Sequence, residues 1–253
     1  MIIKNPIEAD TKALKALFKQ GFGDTDEFIE HFFLTAFSQS RCTCAYDNGR
    51  ICAALYWFDC FCKDEKIAYL YAITTEKEKR GRGICSALMR HTHNLIEKQG
   101  YKGAILVPAS EKLFAFYERL GYECSAFINE FKVIASPNIS TSVYKLSAAE
   151  YLEKRKAHLP DFSISPNSEI ADFLDGLCDF YGAKDAVFAL RKNQNEFFAV
   201  EFLGDRRLIE GIVSHFGFKE GVVRTPGRQK PFAAFYPFNK STKPPKYLGF
   251  AFD

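Results

Sequence analysis

A run of glycine and arginine lies between a predicted strand and a predicted helix, at residues 80–85 (RGRGIC). Because glycine has no Cβ, Gly81 and Gly83 let the backbone turn sharply and approach a ligand closely. The first turn of the following helix leaves N–H groups unpaired at the positive end of the helix dipole, where proteins often bind phosphate groups. Arg80 and Arg82 add positive charge there. The pattern predicts a phosphate or pyrophosphate site, and a tight turn without a ligand is the alternative.

This loop differs from two well-known phosphate-binding loops. A Walker A loop continues with Gly-Lys-Ser or Gly-Lys-Thr, which is missing here. The dinucleotide fingerprint requires a third glycine where Ser86 stands. Its strand also belongs to a βαβ unit, whereas the strand before residue 80 is predicted to lie in an antiparallel meander. We therefore expect neither of these loops.

The elements around the loop predict a mixed α/β fold with a mostly antiparallel sheet. Strands at Arg41–Tyr46 and Arg50–Asp59 flank Asp47-Asn48-Gly49, which predicts a hairpin because Asn and Gly tolerate positive φ. Ile67–Thr75 is the next strand. The other predicted elements of this part are strands Ile2–Lys4, Ala104–Pro108 and Cys124–Ala135 and helices Glu8–Gln20, one beginning after Asp24 or Thr25, Ile84–Gln99, and Glu111–Leu120 closed by Gly121.

The polar, turn-rich residues 136–142 predict a domain boundary. We therefore expect one domain at 1–136 and a second, smaller α/β domain at 143–253. The second contains predicted helices Ala148–His158, Ser168–Tyr181 and Arg206–Phe216 and strands Ala186–Arg191, Glu196–Leu203, Gly221–Thr225, Phe232–Tyr236 and Tyr247–Phe252. Their order loosely repeats that of the first domain, which a degenerate copy of the same fold would explain.

Three motifs resemble a known family. Arg80-x-x-Gly83-x-Cys85 is similar to the [Gln/Arg]-x-x-Gly-x-[Gly/Ala] pyrophosphate loop of the GNAT superfamily of acyl-CoA-dependent N-acetyltransferases. Residues 73–75 (ITT) resemble the strand before that loop, and residues 116–122 (FYERLGY) resemble the family's Y-E-K-L-G-F helix end. The element order over 1–136 also matches. Cys85 departs from the usual Gly or Ala, but it is small. The resemblance implies a GNAT fold followed by a second domain that could be a degenerate GNAT-like half.

The resemblance also implies roles for individual residues, with acetyl-CoA as co-substrate and no metal. Backbone groups of Ile73 and Thr75 would pair with the pantetheine arm, and N–H groups from Arg82 to Cys85 would bind the pyrophosphate. The implied coenzyme A-binding residues are Ile73, Thr75, Arg80, Gly81, Arg82, Gly83, Ile84 and Cys85. Tyr117 would be the general acid that protonates the departing thiolate.

This role of Tyr117 is chemically sound. A phenol with a pKa near ~10 is a poor base at neutral pH but a competent proton donor to a thiolate of roughly similar pKa. The alternative is a half-buried tyrosine whose hydroxyl donates to a backbone carbonyl.

No general base follows from the resemblance. Glu27, Glu30 and His31 lie on the helix that borders the acceptor groove in the GNAT fold, although each is also readily explained as a solvated surface charge. The carboxylate of Asp253, at the end of the sequence, is a further candidate, with a free tail as the alternative.

Two Cys-x-Cys pairs raise the question of zinc. Cys42 and Cys44 share one strand face, as do Cys60 and Cys62, because strand side chains alternate. Structural zinc usually uses Cys-x-x-Cys turns, so we expect core residues and no metal. His91 and His93 are too close in sequence to share a helix face, which argues against a metal site there too.

Five aromatic residues occupy both faces of the predicted meander. Packing against the helices and the second domain explains them best, and an aromatic wall for an apolar or cationic acceptor is the alternative. They are Trp57, Phe58, Phe61, Tyr69 and Tyr71.

Basic turns also occur in the second domain, at residues 204–207 (GDRR) and 224–228 (RTPGR). Neither has Gly-x-Gly before a helix. Even a GNAT-like second half is therefore not expected to bind coenzyme A.

Composition limits the remaining possibilities. The 253 residues are 47% apolar and 26% charged, which excludes a disordered chain, and the net charge of +3 does not indicate a nucleic-acid partner. Eight cysteines are too few for a disulfide scaffold in a chain of this length. The sequence shows neither a signal peptide nor a stretch of ~18 apolar residues, so we expect a cytoplasmic protein that is not inserted in a membrane.

These observations together predict a GNAT-type N-acetyltransferase that moves acetyl from acetyl-CoA to a primary amine. The acceptor is expected to be a small molecule, and an amine on a protein remains an alternative. A module that senses acyl-CoA without turnover is the competing hypothesis.

Overall fold

The computed structural model describes residues 1–139, 141–192 and 195–249. The chain divides into two compact units. Unit 1 consists of Met1–Leu106, Lys112–Glu123 and Phe235–Lys243, and unit 2 consists of Val107–Glu111, Cys124–Ala234 and the segment that begins at Pro244. The domain limits expected from the sequence, 1–136 and 143–253, stay a prediction.

Runs of strands and helices follow one another along the described chain. The strands are β1 (Ile2–Lys4), β2 (Cys42–Asp47), β3 (Arg50–Cys62), β4 (Glu65–Thr75), β5 (Gly103–Leu106), β6 (Glu123–Ile134), β7 (Tyr144–Leu146), β8 (Ile164–Pro166), β9 (Cys178–Ala183), β10 (Ala186–Arg191), β11 (Phe197–Gly204), β12 (Glu220–Pro226) and β13 (Lys230–Pro237). The helices are α1 (Thr11–Phe22), α2 (Asp26–Thr35), α3 (Ile84–Lys98), α4 (Glu111–Glu118), α5 (Ala148–Arg155), α6 (Ala171–Leu177) and α7 (Ile209–His215). Within the described residues, no helix combines the length and the apolar character needed to cross a membrane.

The sheet of unit 1 runs in the order β1-β2-β3-β4-β5. The first three pairings are antiparallel, and β4 and β5 are parallel because α3 connects them. The β2–β3 hairpin turns at Asn48 and Gly49, with φ of 48° and 77°, which confirms the turn predicted from these two residue types.

Helices cover the sheet of unit 1 on both faces. Phe18 of α1 and Phe32 of α2 contact the ring of Tyr56 on β3, with ring centroids 6.1 and 5.3 Å away. Thr43 points to the opposite face, where its hydroxyl lies 2.6 Å from that of Thr92 on α3. Alternation of side chains along the strands thus forms two cores, one under α1 and α2 and one under α3.

Unit 2 repeats this strand order. Its strands β7, β9, β10 and β11 pair antiparallel in succession, and β11 pairs parallel with β12 through α7, as β4 does with β5 through α3. Helices α5 and α6 lie between β7 and β9 in sequence, as α1 and α2 lie between β1 and β2. The mixed α/β fold class with a mostly antiparallel sheet is confirmed, and the repeat lies in the order of the elements rather than in the residues. That the second half is a degenerate GNAT-like copy stays a prediction.

One predicted helix is too long. The helical pattern of Ser168–Tyr181 ends at Leu177, and β9 begins at Cys178 and pairs with β7 and β10. Phe180 is buried, and its neighbours Asp179 and Tyr181 are less buried, which is the alternation of a strand. Because this alternation follows the helical pattern directly, the sequence predicted one continuous helix. The predicted strand Tyr247–Phe252 begins with an isolated bridge between Ser163 and Tyr247, and its end lies outside the described residues.

A buried ion pair ties unit 2 together. Arg155 on α5 and Glu201 on β11 are 1% and 0% exposed and form two hydrogen bonds, of 2.6 and 2.9 Å. The hydroxyls of Tyr151 and Tyr247 donate to the same carboxylate at 2.7 and 2.9 Å. Because a buried ion pair needs such additional hydrogen bonds to offset its desolvation, the network fixes the segment at Tyr247 against β11.

Candidate functional site

Strand β4 has an end that leaves one edge open. Its pairing with β5 stops where Tyr69 lies opposite Ile105, whereas β4 itself continues to Thr75. On its other edge, the register with β3 shifts between Ala54 and Tyr56, and Ala72 has a φ of 48°. Because β4 continues beyond this pairing, the backbone groups on that edge of its last residues, which include Ile73, are available to an extended ligand.

The loop after β4 leads directly to the start of α3. Gly81 and Gly83 have φ of 77° and 75°, the left-handed conformation that favours glycine, as their type predicted. Gly83 is the N-cap of α3 and has no side chain that could accept from the first-turn N–H groups of the helix. A Cβ placed at either glycine would meet no described atom within 4 Å, so the space over the loop is open. The geometry fits an anion.

Arg80 joins this loop to the end of the strand. Its Nε donates a 3.0 Å hydrogen bond to the carbonyl oxygen of Thr75. The Oγ1 atoms of Thr74 and Thr75 are buried and have no hydrogen-bond partner among the described residues. Buried hydroxyls normally have a hydrogen-bond partner. The Thr75 hydroxyl, which has none among the described residues, therefore fits a polar ligand along this part of β4.

Tyr117 lies beside Tyr122. It is 8% exposed, and its ring centroid lies 5.8 Å from that of Tyr122. Burial is the largest cause that raises the pKa of the Tyr122 hydroxyl well above its ordinary value. The proximity of three neighbours, Tyr117, Tyr236 and Cys85, raises it further. Tyr122 is thus close both to Tyr117 and to the first turn of α3. The turn after α4 is closed by Gly121 at a φ of 90°, as predicted.

A buried histidine supports Tyr122, and the sequence analysis did not identify this role. The Nε2 of His93 lies 2.7 Å from the Tyr122 hydroxyl, and its ring stacks on that of Tyr236 at 4.5 Å. Burial lowers the pKa of His93 to about 4, so at neutral pH the imidazole is neutral, and the tautomer decides which of Nε2 and the Tyr122 hydroxyl donates the hydrogen bond. No local sequence signal marks this contact, because His93 and Tyr122 are 29 positions apart.

Cys85 is a poor nucleophile in this environment. Burial raises the pKa of Cys85 to about 11, so the side chain stays a neutral thiol at the start of α3. Cys42 and Cys44 share a strand face as expected, with their sulfur atoms 3.8 Å apart. No group of three or more potential metal ligands occurs within the described parts of the chain.

The candidate bases on α2 have different environments. Glu30 forms a 2.5 Å ion pair with Lys15, and Glu27 is exposed. Asp24, in the connection between α1 and α2, was not weighed as a base from the sequence, and burial raises its pKa. Asp253 lies outside the described residues.

Most of the aromatic residues on β3 and β4 pack within the sheet and its helices. Phe58, Tyr69 and Tyr71 contact one another on the α1–α2 side, with Phe58 within 6.4 Å of Phe32. Trp57 points to the other face, where its Nε1 donates to the hydroxyl of Tyr101 at 3.2 Å.

The equivalent loop of unit 2 is closed by its own side chain. After β11, the carboxylate of Asp205 accepts a 3.0 Å hydrogen bond from the backbone N–H of Arg207 and contacts the Arg207 guanidinium. Asp205 is thus the N-cap of the 3-10 turn Arg206–Leu208, which leads into α7, whereas Gly83 leaves the start of α3 without a side-chain cap.

The comparisons with known proteins agree with this geometry. The family model for the acetyltransferase (GNAT) domain matches residues 3–125. Among solved structures, a GCN5-related N-acetyltransferase from Kribbella flavida is 16% identical with a TM-score of 0.73, covering 93% of this chain and 70% of that one. Another from Anabaena variabilis is 15% identical with a TM-score of 0.75, covering 94% and 73%.

A probable N-acyltransferase from Enterococcus faecalis is 16% identical with a TM-score of 0.72, covering 93% of this chain and 72% of that one. At these identities the likeness shows the fold. The search of curated proteins gave no significant match. Residues 3–125 form an acetyltransferase domain of the GNAT superfamily.

Proposed function

We propose that this chain moves the acetyl group of acetyl-CoA directly to a primary amine. The observation that carries the proposal is the uncapped start of α3 at Gly83, next to the part of β4 that extends beyond β5. A diphosphate and an amide-bearing arm need these two features side by side. Arg80 links them through its hydrogen bond to Thr75.

Binding of the co-substrate uses the backbone more than side chains. The N–H groups from Arg82 to Cys85, at the positive end of the α3 dipole, bind the pyrophosphate, and Arg80 and Arg82 add charge. Ile73 and Thr75 on β4 pair with the pantetheine arm as an additional strand would. The open space over Gly81 and Gly83 is what such a close approach requires.

In the chemical step, the amine nitrogen attacks the thioester carbonyl, so a C–N bond forms and the C–S bond breaks. The phenolic proton of Tyr117 goes to the departing thiolate, the amine loses a proton to solvent, and the phenolate regains one from water. Backbone N–H groups stabilise the charge that develops on the carbonyl oxygen. Holding both reactants in one site contributes roughly 7–11 kcal/mol towards the barrier.

The acceptor is proposed to be a small molecule with a primary amine, with an amine on a protein as the second class. A cytoplasmic location stays a prediction from the sequence.

The test is a free-thiol release assay with acetyl-CoA and a panel of primary amines. We expect turnover with at least one amine, and a loss of about 10²–10⁴-fold in kcat for Tyr117→Phe, with acetyl-CoA affinity within about twofold of the unmodified chain. Tyr144→Phe, which removes an exposed hydroxyl on β7, is the matched control and should change neither.

Two results would oppose the proposal. If no amine supports thiol release while acetyl-CoA still binds, the chain is an acyl-CoA sensor. If Tyr117→Phe turns over at the unmodified rate, another group protonates the thiolate.

A further inference from the structure

Unit 2 contains a cavity of about 600 Å³ that shares no residue with the acetyl-transfer site. Its walls are Ser125 and Phe127 of β6, the turn Pro226–Arg228 between β12 and β13, and two short segments at 160–161 and 246–247. Ligand pockets in proteins usually have volumes of roughly 300–1,000 Å³, so this one has room for a small molecule.

The turn that forms one wall is held in place from β6. The side-chain Oδ1 of Asn129 accepts from the backbone N–H groups of Arg228 and Gln229 at 3.1 and 3.3 Å. A Cβ on Gly227 would lie 2.0 Å from that same oxygen, so only glycine fits there without a shift. Arg206 also donates to the carbonyl oxygen of Pro226 at 2.6 Å. This wall is therefore preformed.

The opposite wall is fixed in a similar way. The backbone N–H of Lys246 donates to Phe162 at 2.8 Å, and that of Ile164 donates to Tyr247 at 2.7 Å. The hydroxyl of Tyr247 is bound to Glu201, so the ring has a fixed orientation. Phe162 has a φ of 59°, a costly conformation for an aromatic residue.

The polar groups around the cavity have unused bonding capacity. Ser125 Oγ is buried, and no described residue offers it a hydrogen bond. Arg228, Lys246 and Asp161 line the cavity. In the described chain, neither cation lies within 4 Å of a carboxylate oxygen, although Lys246 lies over the ring of Phe162. Because Arg228 and Lys246 are positively charged and Asp161 is the negatively charged residue among them, the rim of the cavity has a net positive charge.

Apolar surface supplies the rest of the lining. The rings of Phe127 and Tyr247 and the proline rings of Pro160 and Pro226 contribute to the walls. A ligand that fits this arrangement has a flat apolar body for the rings and one negatively charged group for the rim.

We propose that this cavity is a binding site for a small aromatic carboxylate. The carboxylate of the ligand accepts from Arg228 and Lys246, and its ring lies against Phe127 and Tyr247. Acetyl transfer takes no part in this binding, so the site is tested without acetyl-CoA.

The experiment compares two probes of nearly equal shape by isothermal titration calorimetry. Indole-3-acetate carries the negative charge, and indole-3-acetamide is its neutral counterpart. We expect indole-3-acetate to bind at least about fivefold more tightly, because charge-assisted hydrogen bonds contribute more than neutral ones. Arg228→Gln and Lys246→Gln should each weaken indole-3-acetate binding by about five- to tenfold.

Lys219→Gln is the control, because Lys219 is exposed at the turn before β12 and does not line the cavity. It should leave the affinity unchanged. Since Arg228 and Lys246 are both exposed, their substitution is not expected to affect folding, which circular dichroism checks. The proposal is overturned if indole-3-acetate does not bind, if both probes bind equally, or if neither variant weakens binding more than the control.

Discussion

The Nε of Arg80 lies 3.0 Å from the carbonyl oxygen of Thr75 and donates a hydrogen bond to it. This hydrogen bond joins the loop between β4 and α3 to the last residue of β4. It leaves the rest of the guanidinium at the loop surface, where Arg80 is exposed. Because a guanidinium has donors in several directions, one side chain can hold the strand end and still contribute charge to an anion.

Replacement of Arg80 by lysine should therefore weaken coenzyme A binding. Lysine keeps the charge, but its single ammonium group cannot hold the Thr75 carbonyl and reach an anion as a guanidinium fork does. We expect a loss of about five- to tenfold in affinity for Arg80→Lys, as measured by calorimetry with coenzyme A. Arg82→Lys is the matched control and should stay within about twofold. Equal affinities of the two variants would show that the hydrogen bond from Arg80 to Thr75 does not contribute to binding.

The Asp205 cap predicts that only one of the two related halves binds coenzyme A. Its carboxylate holds the N–H of Arg207, so the helix start in unit 2 offers a negative group to an incoming diphosphate. The neighbouring arginine holds the pKa of Asp205 below its ordinary value, so the group is ionised at neutral pH. Titration with coenzyme A should saturate at one equivalent per chain. Saturation at two equivalents would show that unit 2 binds as well.

The His93–Tyr122 contact predicts a pH dependence of stability. The pKa of His93 is lowered to about 4 in the folded chain, against about 6.5 when unfolded. Between these values the unfolded chain binds a proton that the folded chain does not. The free energy of unfolding should therefore fall as pH decreases from about 6.5 towards 4, by roughly 1.4 kcal/mol per pH unit from this group and about 3 kcal/mol in all.

Urea unfolding at several pH values between about 7.5 and 5 measures this contribution. The control is the double variant His93→Phe/Tyr122→Phe, which removes the titrating group together with its hydrogen-bond partner. Its unfolding free energy should change less over this range than that of the unmodified chain. Identical pH profiles would show that folding does not lower the pKa of His93.

Local features of the fold were predictable from the sequence, and pairings between distant residues were not. Asn48 and Gly49 encode their turn, and Gly81 and Gly83 encode positive φ, because in both cases the residue type itself permits the conformation. Strand β9 was missed because its pairing with β7 and β10 overrides the helical pattern before it.

The same distinction holds for the site. The loop and Tyr117 carry motif signals, whereas the contact between His93 and Tyr122 joins residues that are 29 positions apart. The Asp205 cap did have a local signal, because aspartate directly before a helix is a favoured N-cap. Because two arginines follow Asp205, residues 204–207 were interpreted as a basic turn.

We expect the main chain at Gly83 to bind the pyrophosphate of coenzyme A. Gly83→Ala tests it by calorimetry with coenzyme A, with Gly100→Ala as the control at the other end of α3. Both glycines have a positive φ, 75° and 88°, and open space where a Cβ would lie, so both variants carry a similar backbone strain of about 1 kcal/mol. We predict that Gly83→Ala lowers the affinity at least about tenfold while Gly100→Ala leaves it unchanged. Equal affinity in the two variants would contradict this expectation.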